Sequence, residues 1–186
     1  AIRDVYERQG GSPGPVDDVP GGPGWVVDGA TLLPRITDLA SFRAAGAKDP
    51  LLEAIELLWL GDPVAARAQL RGREKSTRVL VFLADCDRAM GWYEASRIRY
   101  ETLLREHEGD GWEPVLHDHL GKVLLQAGDP GAALRQFVTS LNLRRASGAS
   151  AGLLAFSAQA VEYTVRLLRA PRRAAHRPPS AQNRRS

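Results

Sequence analysis

The sequence predicts an all-α fold: short antiparallel helix pairs stacked in chain order. Three observations carry this. A turn phrase recurs as Gly61-Asp62-Pro63, as Gly91-Trp92-Tyr93-Glu94-Ala95 and as Gly128-Asp129-Pro130-Gly131-Ala132-Ala133, each between two apolar helical runs. Gly closes a helix in the left-handed conformation without steric cost. Asp then caps the next helix, and Pro fits its first turn, where no N–H is needed. The residues after the phrase also align. A small residue follows each Gly by five (Ala66, Ser96, Ala133), and a bulky one follows by nine (Leu70, Tyr100, Phe137). Third, the run before each turn has helical spacing: Leu51, Leu52, Ile55 and Leu58; Leu80, Leu83, Ala84 and Asp87; Leu116, Leu120, Gly121 and Leu124.

The elements follow in order. Residues 1–30 are rich in Gly and Pro and read as a flexible, extended arm. Its apolar patch, Trp25-Val26-Val27, either folds back over an exposed end of the stack or is offered to a partner. Leu33 to Ala45 reads as a short helix, with Ile36, Leu39, Ala40 and Phe42 as its stripe. Asp49-Pro50 opens the first clear helix, to Leu60, which pairs with Asp62 to Leu70. Thr77 to Met90 and Trp92 to His107 form the second pair. Pro114 to Ala127 and Asp129 to Arg145 form the third. Ser147-Gly148-Ala149-Ser150 stops that pair and starts a last helix over 150–169, which has the place of a capping helix. The helical domain thus covers 31–170, and residues 171–186 are an Arg/Pro tail expected to be disordered. No segment has a strand period; Val79 to Leu83 has strand-like composition but helical surroundings.

Gly91 lies 30 residues after Gly61, and Gly128 lies 37 after Gly91. These spacings bracket the roughly 34 residues of the tetratricopeptide unit. The unit at about 114–147 resembles that family most, through Leu120-Gly121, Leu124, Ala133, Phe137 and Ser140. The unit at about 77–110 matches through Leu83-Ala84, Ser96 and Tyr100, with Asp87 where an aromatic is usual. The unit at about 47–76 is shortened and lacks the leading signature. The resemblance implies a short right-handed solenoid whose first helices line a concave groove. The expected groove residues are Arg78, Val81, Asp85 and Arg88 from one unit and Asp118, Lys122 and Gln126 from the next. Family members that clamp a chaperone's C-terminal carboxylate use Lys and Asn at places where this chain has Val81 and Asp85, which argues against that activity here.

Composition narrows the class. No apolar run approaches the ~20 residues of a membrane span, and the first residues lack a leader pattern. Cys86 is the only cysteine, which excludes an internal disulfide and leads to the expectation of a reducing cytoplasm. The net charge is +3, but five Arg lie in residues 171–186 with no acid, so the remaining chain stands at −2. Arg greatly outnumbers Lys, a bias that a GC-rich bacterial genome produces.

The candidate chemistry is thin. His117-Asp118-His119 suggests a metal, with His107, Glu108 and Asp110 nearby in sequence. Residues two apart on a helix diverge by roughly 200°, so the two rings cannot share one ion. Cys86 has no base on its own helix and reads as a small core residue. The Gly-rich stretches lack a P-loop ending, and Ser41, Ser96 and Ser157 lack a nucleophile elbow. The expectation is therefore no catalytic residues, no metal and no cofactor. The expected function is a cytoplasmic adaptor or scaffold that binds a protein or peptide in the groove. The alternative is a nucleic-acid-associated regulator whose Arg tail docks on polyanions, by charge alone and without stacking.

Overall fold

The structure, a computed structural model, describes residues 16–170. The expected flexibility of residues 1–15 and of the Arg/Pro tail falls outside the described residues. The chain is mostly helical with a small sheet, in the order β1 (Val19–Gly22), β2 (Trp25–Val27), β3 (Pro34–Ile36), then α1 (Leu39–Gly46), α2 (Leu52–Trp59), α3 (Pro63–Arg71), α4 (Thr77–Ala89), α5 (Tyr93–Glu106), α6 (Glu113–Gln126), α7 (Pro130–Ala146) and α8 (Ala151–Arg169).

The recurrent turns fold as their residues dictate. Gly61, Gly91 and Gly128 have φ of 95°, 80° and 92°. At each, the Gly N–H donates back to Leu58, Arg88 or Leu125, and the next N–H donates to Leu57, Asp87 or Leu124. This double bond pattern satisfies carbonyls that a helix end otherwise orphans. Asp62 and Asp129 then accept from the N–H of Ala65 and Ala132, and Pro63 and Pro130 begin the next helices. From α2 to α8 each helix packs on its successor. Joined by such tight turns, the paired helices run back on each other. The aligned positions are all core: Ala66, Ser96 and Ala133, and one helical turn later Leu70, Tyr100 and Phe137.

The hydrophobic core runs through three clusters along the stack. The first is built on Phe42, Ile55, Leu58, Leu70 and Val79. The middle one holds Val81, Ala84, Tyr100, Leu116 and Leu120. The last holds Leu125, Phe137, Ala160 and Tyr163. Leu80 and Leu124 each touch two of them, so the packing is continuous.

The N-terminal segment departs from expectation. Residues 19–36 form an antiparallel meander, with β2 between β1 and β3, where an extended arm and the start of a helix were expected. Val19 pairs with Val27 and Pro20 with Val26; an irregularity at Gly21 then brings Gly22 opposite Trp25. These strands are three or four residues long, too short for a period of two to show. The glycines that suggested flexibility have a packing role. A Cβ on Gly21 would lie 2.2 Å from the Trp25 ring, so the indole lies flat over β1 only because Gly is there. Pro34 favours an extended residue before it, and α1 starts only at Asp38, whose carboxylate accepts from the N–H of Ala40 and Ser41.

The meander joins the two ends of the stack. β3 lies against α2 and β1 against α8. Val16 and Leu32 enter the last core cluster, while Trp25 and Ile36 pack on the first. Leu32 has φ 60°, a conformation strained for a branched residue, yet its side chain is buried in that last cluster. Burial of the side chain offsets the backbone strain. Among the described residues, no helix is long and apolar enough to cross a membrane.

Candidate functional site

A cavity of about 180 Å³ lies between the meander and the helices. Its helical walls come from α2 (Trp59), α4 (Phe82, Asp85), α6 (Asp118, His119, Lys122) and α8 (Phe156, Gln159, Ala160), with Arg144 from α7. Apart from α7, these are the first helix of each pair and the last of the described helices. The meander supplies Trp25, Val27, Leu32 and Pro34 on the opposite side.

The aromatic side is continuous. The Trp25 ring centroid lies 4.8 Å from that of Trp59 and 6.3 Å from that of Phe156, and Trp59 in turn lies 5.4 Å from Phe42. Such tilted and offset contacts add to the area they bury.

The polar side is a network of buried charges. Asp85 Oδ1 accepts from Arg88 Nε at 3.2 Å and lies 3.0 Å from the Tyr100 hydroxyl. Asp85 Oδ2 is 3.1 Å from His119 Nδ1. Arg88 Nη1 continues the network to Gln126 Oε1 at 3.0 Å. Burial alone pushes the Asp85 carboxyl up, but the charges of His119, Arg88 and Lys122 outweigh it and hold the group well below the usual carboxylate range. Burial and the Asp85 charge push the Tyr100 hydroxyl well above its ordinary value. Lys122 Nζ lies 3.3 Å from Asp118 Oδ2. Arg144 Nη1 donates to Leu153 O at 2.9 Å and to Ser157 Oγ at 2.7 Å. Gln159 Nε2 donates to Asp17 O at 2.7 Å and to Val27 O at 3.1 Å, which ties the meander to α8.

The seven expected groove residues divide. Asp85, Asp118 and Lys122 line the cavity. Arg88 and Gln126 stand behind them in the buried network. Val81 belongs to the middle core cluster. Arg78 instead clasps Asp49 with both guanidinium nitrogens and lies over the Phe82 ring. Trp59, Phe82, His119, Arg144, Phe156 and Gln159 also line the cavity and were not among the expected groove residues. The one available signal was the Trp25 patch, apolar inside a Gly/Pro-rich stretch.

The other candidates have structural settings. His117 Nδ1 is 2.6 Å from Gln136 Oε1, while His119 turns to Asp85, so the rings diverge as helix geometry requires. Among the described residues, no three His, Cys, Asp or Glu groups are placed to share a metal ion. Cys86 is fully buried, and burial with the neighbouring Asp85 and Asp87 charges pushes its thiol up to about 12. Asp87 bridges Arg67 at 2.9 Å and Arg99 at 2.7 Å, and so ties α3 and α5 to α4. The hydroxyl beside the His119–Asp85 pair is that of Tyr100, 3.0 Å from Asp85 Oδ1 and 3.2 Å from His119 Nδ1, and it is fully buried.

No protein-family model, curated protein or solved structure matches the chain.

Proposed function

We propose that the chain is a non-catalytic interaction module: a short right-handed, tetratricopeptide-like solenoid that acts as an adaptor or scaffold. Its concave face would hold an extended peptide or a helix of a partner protein. One observation carries this reading. The helices α2, α4, α6 and α8 face one cavity, and an extended strand of the chain, β2, already sits against them with Trp25 between Trp59 and Phe156. A face that accepts a Trp-bearing strand in cis has the shape and chemistry to accept one in trans. Such a partner segment would present an aromatic to the Trp59–Phe156 wall and polar groups to Lys122 and Asp118.

Display selection of random linear peptides against the full chain tests this. Hydrogen exchange on the selected complexes should show added protection on α2, α4, α6 and α8. Binders that protect only α3, α5 and α7, or a selection that yields none, would refute the proposal.

A further inference from the structure

Among the described residues, Arg144 is the one charged group lining the cavity that has no opposite charge beside it. Asp85 lies against Arg88 and His119, and Asp118 lies against Lys122. Arg144 is only 5% exposed, and its Nη1 donates to two neutral acceptors, Leu153 O and Ser157 Oγ. Its Nε and Nη2 have no acceptor among the described residues. Neither atom is among the buried, unpartnered ones, so both keep accessible surface, and the residue lines the cavity. Nε and Nη2 share one edge of the planar guanidinium, the fork that holds a carboxylate through two parallel hydrogen bonds. A buried cation without a counter-ion is costly, and a bound anion removes that cost.

The summed charge has the same sign. Three permanent cations, Arg88, Lys122 and Arg144, stand in and behind the cavity wall against two carboxylates, Asp85 and Asp118. One positive charge is left over, and protonation of His119 adds a second. A monoanion offsets this excess, whereas a cation adds to it. The rest of the lining is mostly apolar, with Trp25, Trp59, Phe82 and Phe156 as flat walls, which suits a ring and disfavours a strongly hydrated ion such as phosphate. Phe156 directly precedes Ser157, whose hydroxyl holds Arg144, so the aromatic wall and the guanidinium meet along α8. The volume of about 180 Å³ slightly exceeds the ~150 Å³ of an apolar cavity that takes up benzene. One ring with a carboxylate fits; a nucleotide does not.

We propose that this cavity binds a small aromatic monocarboxylate, a single ring that bears one carboxylate group. The carboxylate oxygens accept from Arg144 Nε and Nη2, and the ring lies against the wall of Trp25, Trp59 and Phe156. The inference does not depend on the peptide reading, since the cavity exists with the meander in place.

Benzoate and phenylacetate are the probes, titrated into the full chain by calorimetry with the indole N–H signals followed by NMR. The expected result is saturable one-to-one binding of at least one of them, with shifts at Trp25 and Trp59 but not at Trp92 or Trp112. Three controls should bind at least about tenfold more weakly than the better probe: its own amide, which keeps the ring without the charge; acetate, which keeps the charge without the ring; and benzylamine, which reverses the charge. In Arg144→Gln the preference for the carboxylate over its amide should vanish, a change that altered packing alone does not produce. No saturable binding of either probe would overturn the proposal. So would equal or tighter binding of any control, an unchanged carboxylate preference in Arg144→Gln, or shifts confined to Trp92 and Trp112. The controls on the parent chain keep the test decisive if Arg144→Gln fails to fold.

Discussion

Gly121→Ala should destabilise the protein, although alanine is the better helix former. Gly121 sits within α6 and faces α7. A Cβ there would lie 2.4 Å from Phe137 Cε1, 2.7 Å from Cδ1 and 2.9 Å from Cζ. Ordinary carbon–carbon contacts lie at ~3.5–4.0 Å, so the ring must retreat by about 1 Å. Phe137 is fully buried between α6 and α8 and cannot swing into solvent. Overpacking costs ~1–3 kcal/mol, and three ring carbons within 3.0 Å put this site at the upper end, about 2–3 kcal/mol. The gain in helix propensity returns about 1 kcal/mol. The net loss is about 1–2 kcal/mol for alanine, and Gly121→Leu, with three more carbons, should lose about 3 kcal/mol or more. At ~2–4 °C per kcal/mol for a domain of this size, the alanine variant should melt about 2–8 °C lower. The mechanism has its own check. Phe137→Leu frees space beside residue 121, so in a double-mutant cycle the pair should lose at least ~0.5 kcal/mol less than the sum of the singles. Calorimetric melting of the four proteins measures both quantities. An unchanged Tm for Gly121→Ala, or strict additivity, would refute the close contact between α6 and α7.

Three further outcomes follow from the packing and the charges. Trp25→Ala should cost about 2–3 kcal/mol, below the ~3–5 kcal/mol of a fully buried aromatic; amide exchange should speed up across β1 to β3 while α4 to α7 keep their protection, and uniform acceleration would show that the meander is not a separate unit. Asp85 has its folded-state pKa held below its unfolded value of ~3.9. Its contribution to stability is thus fully present above that value and is lost progressively as pH falls from there toward the lower folded-state value; between pH 5 and 3, urea midpoints should fall less steeply for Asp85→Asn than for the parent, with Asp28 and Asp49, also lowered, leaving a residual slope in both. Cys86, buried and with its thiol raised to about 12, should resist an aromatic disulfide reagent at pH 8 until the chain unfolds; rapid labelling of the native protein would refute its burial.

The sequence by itself determined the features that depend on neighbours along the chain. A left-handed Gly acts within a few residues at all three turns, joined by an Asp cap and a first-turn Pro after Gly61 and Gly128, so the turns at Gly61, Gly91 and Gly128 and their helices were readable directly. The small and bulky core positions followed from the same alignment, because a helix repeats its faces at a fixed interval. The partners of the charged residues were not readable in this way. Asp85 and Arg88 were legible as sharing a face, but their joining to Tyr100, His119 and Gln126 depends on how α4, α5 and α6 pack. The meander was the largest departure. Its Gly and Pro content matches that of a disordered arm, and its strands are too short for periodicity to show. Only the tertiary structure decided its place, because Trp25 gains its burial from Trp59 and Phe156, and Gln159 holds the carbonyls of Asp17 and Val27 from the far end of the chain. Local chemistry set the helices and turns; contacts between the two ends of the stack set the cavity.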